Sequence, residues 1–202
     1  IDDTEPGSFS MRLLADELGV GVMTLYGYVR DKEELYEAVT ALAFAEAPII
    51  EPTADEPWHQ EIRSVALELY GICLRHPNLL AIVLADKKPN LGMFLRRERM
   101  LAALRKAGFP KQAALPTLGV LTSYILGYAL AQSSALQYLP DKFRASQERF
   151  PALSEAADEY ESHLTPVAFD YGLELLIRGL RERADEGAGS EQHPSKSTGL
   201  NS

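Results

Sequence analysis

A single cysteine, Cys73, stands among the 202 residues, so no internal disulfide can form. Its surroundings (Val65, Ala66, Leu67, Leu69, Ile72, Leu74) are apolar, and a lone thiol in such a stretch packs as a small hydrophobe. The low count fits a reducing cytosol. Positive charge is also scarce: 20 Lys and Arg against 29 Asp and Glu leave a net charge of −9. That argues against a protein that coats nucleic acid by bulk charge. It leaves room for groove readout by a few well-placed side chains. The four histidines, His59, His76, His163 and His193, lie far apart and share no metal-ligand spacing. No glycine-rich phosphate loop, nucleophile elbow or Walker-type motif occurs. The chain is therefore read as a non-enzyme with no metal or cofactor. No signal peptide is visible, and a cytoplasmic location is expected. The stretch from Gln112 to Pro140 carries no charge and is long enough to span a bilayer. Its polar residues, Thr117, Thr122, Ser123, Gln132, Ser133, Ser134 and Gln137 among them, fit a helix buried in a protein–protein interface better.

What is present is helical periodicity, with no long alternating strand pattern. Proline and glycine punctuate it. The pattern predicts short helices over 10–18 and 22–29, the first capped by Ser8 or Ser10. Asp31 and Glu34 predict a capping box that opens a helix running to about Ala47. Ile49–Pro57 reads as a linker, followed by helices near 58–75, 78–84, 91–107, 113–138 and 165–184. Asp141–Ser162 reads as a long loop with a short helix near 153–162. Gly187–Ser202 reads as a flexible tail. The fold class is all-α. The expected domains are residues 1–47, residues 48–186 and a tail over 187–202.

The strongest signal is the run from Ser10 to Val29. Leu14, Ala15 and Leu18 make one apolar face of its first helix. Gly19 can end that helix in a left-handed conformation. Val20 is expected to plug the gap between the helices. Leu25 and Val29 anchor the second helix. Gly21, Val22, Met23, Thr24, Tyr26 and Tyr28 are left on an outer face, a geometry suited to the major groove. A core helical hairpin with no partner accounts for the helix-Gly-helix pattern equally well.

The run from Ser10 to Val39 resembles the DNA-binding domain of TetR-type regulators. The resemblance rests on Leu14-Ala15, Leu18-Gly19-Val20, Thr24-Leu25-Tyr26, Tyr28-Val29, Lys32 and Leu35. It implies a helix-turn-helix domain followed by a larger helical domain for ligand binding and dimerisation. It also implies a repressor that binds a palindromic operator as a homodimer and is released by a small-molecule effector. The DNA-binding residues so implied are Ser10, Arg12, Gly21, Met23, Thr24, Tyr26, Tyr28 and Lys32, with Lys32 at a phosphate-binding position. Gly27 departs from the family, where an aromatic residue is common. The family's first helix precedes this motif, and here only the remnant Ile1-Asp2-Asp3 stands before it; the missing segment is expected to be basic. Residues 1–47 hold three basic and ten acidic side chains. That balance supports the alternative of a helical adaptor or signalling module without DNA binding.

In the second domain, Gly119, Ser123, Gly127, Ala131 and Ala135 recur every four residues as a ridge of small side chains. Phe169, Leu173, Leu176 and Leu180 form a stripe on the last helix. By resemblance, both are assigned to a dimer interface; packing inside one subunit explains the spacing as well. Leu121, Tyr124, Tyr128 and Gln132, with Met93, Phe94, Met100 and Leu104 opposite, are the candidate walls of an effector pocket. Their chemistry suits an apolar or aromatic ligand. Plain core is the competing reading for each. Arg96, Arg97, Arg99, Arg105, Lys106 and Lys111 read as a solvated basic face, with a site for an acidic ligand as the other possibility.

Overall fold

The computed structural model describes residues 9–47, 53, 55–78, 91–133, 149–156 and 164–191. Every regular element among them is a helix. The elements are α1 (Met11–Glu17), α2 (Val22–Leu25), α3 (Lys32–Glu46), α4 (Trp58–Arg75), α5 (Leu91–Lys106), α6 (Lys111–Ser133), α7 (Pro151–Glu155) and α8 (Pro166–Glu191).

Local chemistry sets the ends of the first three. The Ser10 hydroxyl accepts a hydrogen bond from the Leu13 amide at 3.1 Å and caps α1. At the other end Gly19 sits at φ 65°, with Val20 N–H bonded to the Ala15 carbonyl and Gly19 N–H to that of Asp16. This pair of bonds closes a Schellman motif. The same motif ends α5, where Gly108 has φ 90° and Phe109 and Gly108 bond back to Leu104 and Arg105. Asp31 caps α3 by accepting from the Glu34 amide at 2.7 Å. The reciprocal half of the capping box is displaced by one residue: the Glu34 carboxylate accepts from the Arg30 amide and guanidinium instead. That bonding holds the Glu34 carboxyl below its ordinary range.

The second helix is shorter than predicted. After Leu25 the chain tightens, with Gly27 bonded to Thr24 and Tyr28 to Leu25 across three residues. A Cβ on Gly27 would stand 3.2 Å from the Thr24 carbonyl oxygen. The glycine that departs from the family pattern is thus the residue the tight bend accommodates. The inner face also differs from expectation. Met11, Ala15 and Leu25 form the small core, with Leu14, Val22, Val29 and Leu35 packed against it. Leu18 is 58% exposed and Val20 is also exposed, so neither fills the space between the helices.

Helix α3 belongs to two cores. Leu35 near its start packs on the small cluster, while Ala43, Phe44 and Ala47 at its end join the large one. That large core is built by α4 (Ile62, Val65, Ala66, Leu69), α5 (Met100, Leu104), α6 (Leu118, Leu121, Ile125) and α8 (Phe169, Leu173, Ile177). An ion pair from Arg63 to Asp170, with a 2.6 Å hydrogen bond, also ties α4 to α8. Helices α4 and α5 fall within a residue of their predicted spans. Helix α6 begins at Lys111, two residues early, and its expected end lies outside the described residues. A short helix spans Pro151–Glu155, overlapping the start of the one expected near 153–162, whose residues 157–162 lie outside the described residues. Helix α8 continues through Gly187 to Glu191, where a tail was expected. Helix propagation from a packed segment adds one backbone bond per residue and carries the helix past its apolar stripe. Of the predicted helix 78–84 only Asn78 is described, and the tail beyond 191 lies outside the described residues.

Candidate functional site

The short α2 and the turn after it leave their large side chains in solvent. Met23 is 81% exposed and Tyr28 84%, and Tyr26, Thr24 and Gly21 are exposed beside them. Leu25 alone in this helix is buried. Large apolar and aromatic groups held out together on a short helix and the turn that follows it mark a surface made for contact. Arg12 on α1 is exposed, whereas Arg30 is engaged by Glu34. Ser10 is committed as the α1 cap, although its hydroxyl proton remains available to an acceptor. Lys32 is half-buried. Its ammonium donates to the Phe9 carbonyl at 2.8 Å and lies 5.2 Å from the rings of both Phe9 and Tyr36. This lysine fastens the entry to α1 onto the start of α3, a role the sequence did not reveal. Two of its three N–H groups remain for a phosphate.

At the other end of the molecule α4, α6 and α8 bring four aromatic rings together. Phe169 is stacked on Tyr70, with centroids 3.8 Å apart, and on Tyr124 at 5.3 Å; Tyr128 meets its edge. The hydroxyls are all placed. Tyr124 donates to the Phe169 carbonyl at 2.7 Å, Tyr128 to that of Thr165 at 3.0 Å, and Tyr70 to the Gln132 side-chain oxygen. Burial pushes the Tyr124 phenol up to about 12 and raises those of Tyr70 and Tyr128. All three are therefore neutral donors at physiological pH. Gly172 makes the arrangement possible, because a Cβ there would collide with the Tyr124 hydroxyl.

This geometry corrects part of the sequence reading. Phe169 and Leu173 are fully buried inside the protomer, and Leu176 and Leu180 pack on the same core, so the stripe predicted to dimerise faces inward. The outward side of α8 carries Val167, Tyr171 and Leu175 instead. On α6 the small ridge does face solvent: Gly119, Ser123 and Gly127 are exposed, flanked by exposed Leu115, Val120 and Leu130. Ala131 is half-buried, and Ala135 lies outside the described residues. Of the predicted pocket residues, the structure gathers Tyr124, Tyr128 and Gln132. Met100, Leu104 and Leu121 are sealed in the core, Met93 is half-buried against it, and Phe94 is 55% exposed. A cleft of about 300 Å³ opens elsewhere, lined by Gly108, Phe109, Pro110, Ala113, Arg183, Ala184 and Glu186. None of the predicted pocket residues lines it. Cys73 is half-buried against the large core and its thiol is raised to about 11 by desolvation, which fits the packing role.

The basic run divides: Arg97, Arg105, Lys106 and Lys111 are exposed, as a solvated face requires, whereas Arg96 and Arg99 turn into the protein. Arg96 has no exposed surface. Its Nε donates to Glu68 at 3.2 Å, one terminal nitrogen to the Gly92 carbonyl at 3.3 Å, and the other to the Ala47 carbonyl at 2.6 Å. Arg99 pairs with Glu61 at 2.5 Å and Glu68 at 3.0 Å. Two cations and two anions thus neutralise one another where α3, α4 and α5 meet. Sequence spacing held a clue: Arg96, Met100 and Leu104 lie four apart on one buried stripe.

The comparisons with known proteins agree with this architecture. The family model described as the tetracyclin repressor-like C-terminal domain matches residues 51–184. The chain is 28% identical over 181 residues to the class D tetracycline repressor protein of Escherichia coli, covering 89% of this chain and 83% of that one. It is 29% identical over 190 residues to an HTH-type transcriptional regulator of Saccharopolyspora erythraea, covering 87% and 77%. Among solved structures, a possible TetR family transcriptional regulator from Streptomyces coelicolor shares the fold, with a TM-score of 0.78 at 22% identity over 90% of this chain and 93% of that one. The Streptomyces coelicolor TetR family protein ActR, in complex with (S)-DNPA, gives a TM-score of 0.69 at 26% identity over 90% and 91%. A matching family model over most of the chain, together with the helix-turn-helix that precedes it, shows that the chain belongs to the TetR family of transcriptional regulators.

Proposed function

We propose that this regulator is a repressor that binds a palindromic operator as a homodimer and is released by a small-molecule effector, working in the cytoplasm and without catalytic activity of its own. The observation that carries the reading is the exposure of Met23 on the short α2 and of Tyr26 and Tyr28 in the turn after it, beside exposed Arg12. Arg12 and Tyr28 read or position the base edges. Thr24, Tyr26, Ser10 and the remaining donors of Lys32 meet phosphates. Gly21 and Met23 bring the helix tip close to the groove with apolar contact, so that DNA shape contributes to specificity. The outward face of α6, with Gly119, Ser123 and Gly127, and that of α8, with Val167, Tyr171 and Leu175, join two protomers. The effector lies against the Tyr124, Tyr128 and Gln132 wall. ActR has been seen in complex with actinorhodin, and BioQ with its double-stranded DNA operator. Effector binding displaces α3, the helix shared by the two cores, and alters the separation of the recognition helices. A coupling of about 1–3 kcal/mol is enough for strong release.

The test is a titration of an enriched operator at about 150 mM salt, where non-specific phosphate binding is weakened. Arg12→Ala and Tyr28→Ala are each expected to lower specific affinity by ~10- to 100-fold, about 1–3 kcal/mol. Their thermal midpoints stay at the wild-type value, because neither side chain is packed. Unchanged affinity in both variants would remove these residues from the interface. The acidic balance of residues 1–47 favours a second reading, an adaptor that has lost DNA binding. It predicts a folded dimer with no operator at all.

A further inference from the structure

The Arg96 guanidinium is bonded simultaneously to three helices. It reaches Ala47 at the end of α3, Glu68 on α4 and Gly92 on its own α5, and its carbon lies 5.5 Å from the centroid of the Phe44 ring, again on α3. The Ala47 carbonyl is the interesting partner. Ala47 is the extended residue at which the chain leaves α3, and its carbonyl has no partner within the helix. A buried guanidinium bonded to that carbonyl pins the point where the chain leaves α3, and with it the end of the helix. A second link lies beside it, where Glu46 meets His76 at the end of α4 at 3.0 Å.

A fold does not need such a cluster for stability. Well-packed apolar residues in place of a buried ion group are often neutral or stabilising. What a planar fork of donors adds is geometry. Arg99 occupies the other side of Glu68 and holds Glu61 as well, so the carboxylate that orients Arg96 is itself fixed. Arg96 therefore moves with α5 and with α4, which supplies Tyr70 to the aromatic cluster, and holds the end of a helix whose beginning packs on the DNA-binding motif. A hydrogen bond of 2.6 Å is lost on a displacement of about an ångström.

We propose that Arg96 is the positioning residue through which the effector domain sets the direction of α3. With the bond to Ala47 made, the recognition helices keep the separation the operator requires. A shift of α5 breaks the bond and frees the end of α3. The inference rests on the proposed repressor function, but its test separates the two.

The test uses the full chain and two variants. Arg96→Lys keeps the charge but offers a point donor that cannot span Ala47 and Glu68 together. Arg96→Met keeps length and packing without donors. Amide hydrogen exchange and operator affinity are measured for both. In Arg96→Lys, the amides of residues 43–47 are expected to exchange roughly 10-fold faster or more, while those of Ile62–Ile72 and Leu118–Ile125 keep wild-type protection. Operator affinity falls by about 5- to 150-fold, the usual range of coupling between sites. Arg96→Met shows the same local loosening; should it fail to fold, the lysine variant decides alone. Exchange that rises evenly through α4 and α6 would show a merely structural residue and overturn the proposal. So would wild-type affinity in a folded Arg96→Lys protein. A wild-type chain that selects no operator would instead refute the repressor reading, whatever the exchange pattern shows.

Discussion

Phe169→Ala is expected to destabilise the protomer by about 3–5 kcal/mol, the cost of truncating a large side chain in a packed core. Phe169 has no exposed surface and lies between the rings of Tyr70 and Tyr124. Removing the ring leaves a cavity walled by three tyrosines whose hydroxyls are already committed, so the site cannot close by simple rotation. At about 2–4 °C per kcal/mol for a chain of this size, the thermal midpoint falls by roughly 6–20 °C. Urea unfolding at several protein concentrations is the measurement that checks it. The loss in stability persists at all concentrations if Phe169 is a core residue. A variant with wild-type protomer stability that simply dissociates would return the residue to a subunit interface.

The outward face of α6 makes the opposite expectation. Gly119→Arg with Gly127→Arg is expected to weaken dimerisation ~100-fold or more, about 3 kcal/mol. A Cβ built on either glycine meets nothing within 4 Å inside the protomer, so the new side chains fit the isolated chain. Replacing glycine in a helix even favours the helix by up to about 1 kcal/mol each. In a two-fold interface each substitution occurs twice, and four guanidinium groups would crowd a ridge that must be approached closely. Analytical ultracentrifugation should find folded monomers, and operator binding should disappear with the dimer. A variant that remains dimeric at micromolar concentration would place the interface elsewhere. The same helix, Lys111–Gln132, is long and apolar enough to cross a membrane and is only partly covered in one protomer.

The features legible in the sequence are those fixed over a few residues. Ser10 and Asp31 cap their helices as expected, and Gly19 takes the left-handed conformation that its position after Leu18 suggested. Each is decided by a side chain three positions away or by a single backbone torsion. Helix α4 was equally plain because Pro57 and His76-Pro77 bracket it. The orientation of a helix with apolar residues on more than one side was not legible. Helix α8 offers Phe169, Leu173 and Ile177 on one face and Val167, Tyr171 and Leu175 on another, and spacing alone does not say which meets the core. The Arg96 cluster was hidden for a related reason. Arg96 and Arg99 look like a solvated charge run until Glu68 and Glu61, 28 and 38 positions earlier, are brought beside them. Of the candidate pocket, Tyr124, Tyr128 and Gln132 come together, but their close partners arrive from elsewhere in the chain, Tyr70 from α4, Phe169 from α8 and Thr165 from the position just before α8.

The central claim is that exposed residues of the short α2 and the turn after it read DNA as part of a homodimer. The most direct test takes the complete protein through selection from a random pool of double-stranded DNA at about 150 mM salt, before and after unfolding, ligand removal and refolding. Enrichment of a palindrome, with half-sites about one helical turn apart, is the expected result. A refolded, ligand-free dimer that enriches no sequence would contradict it.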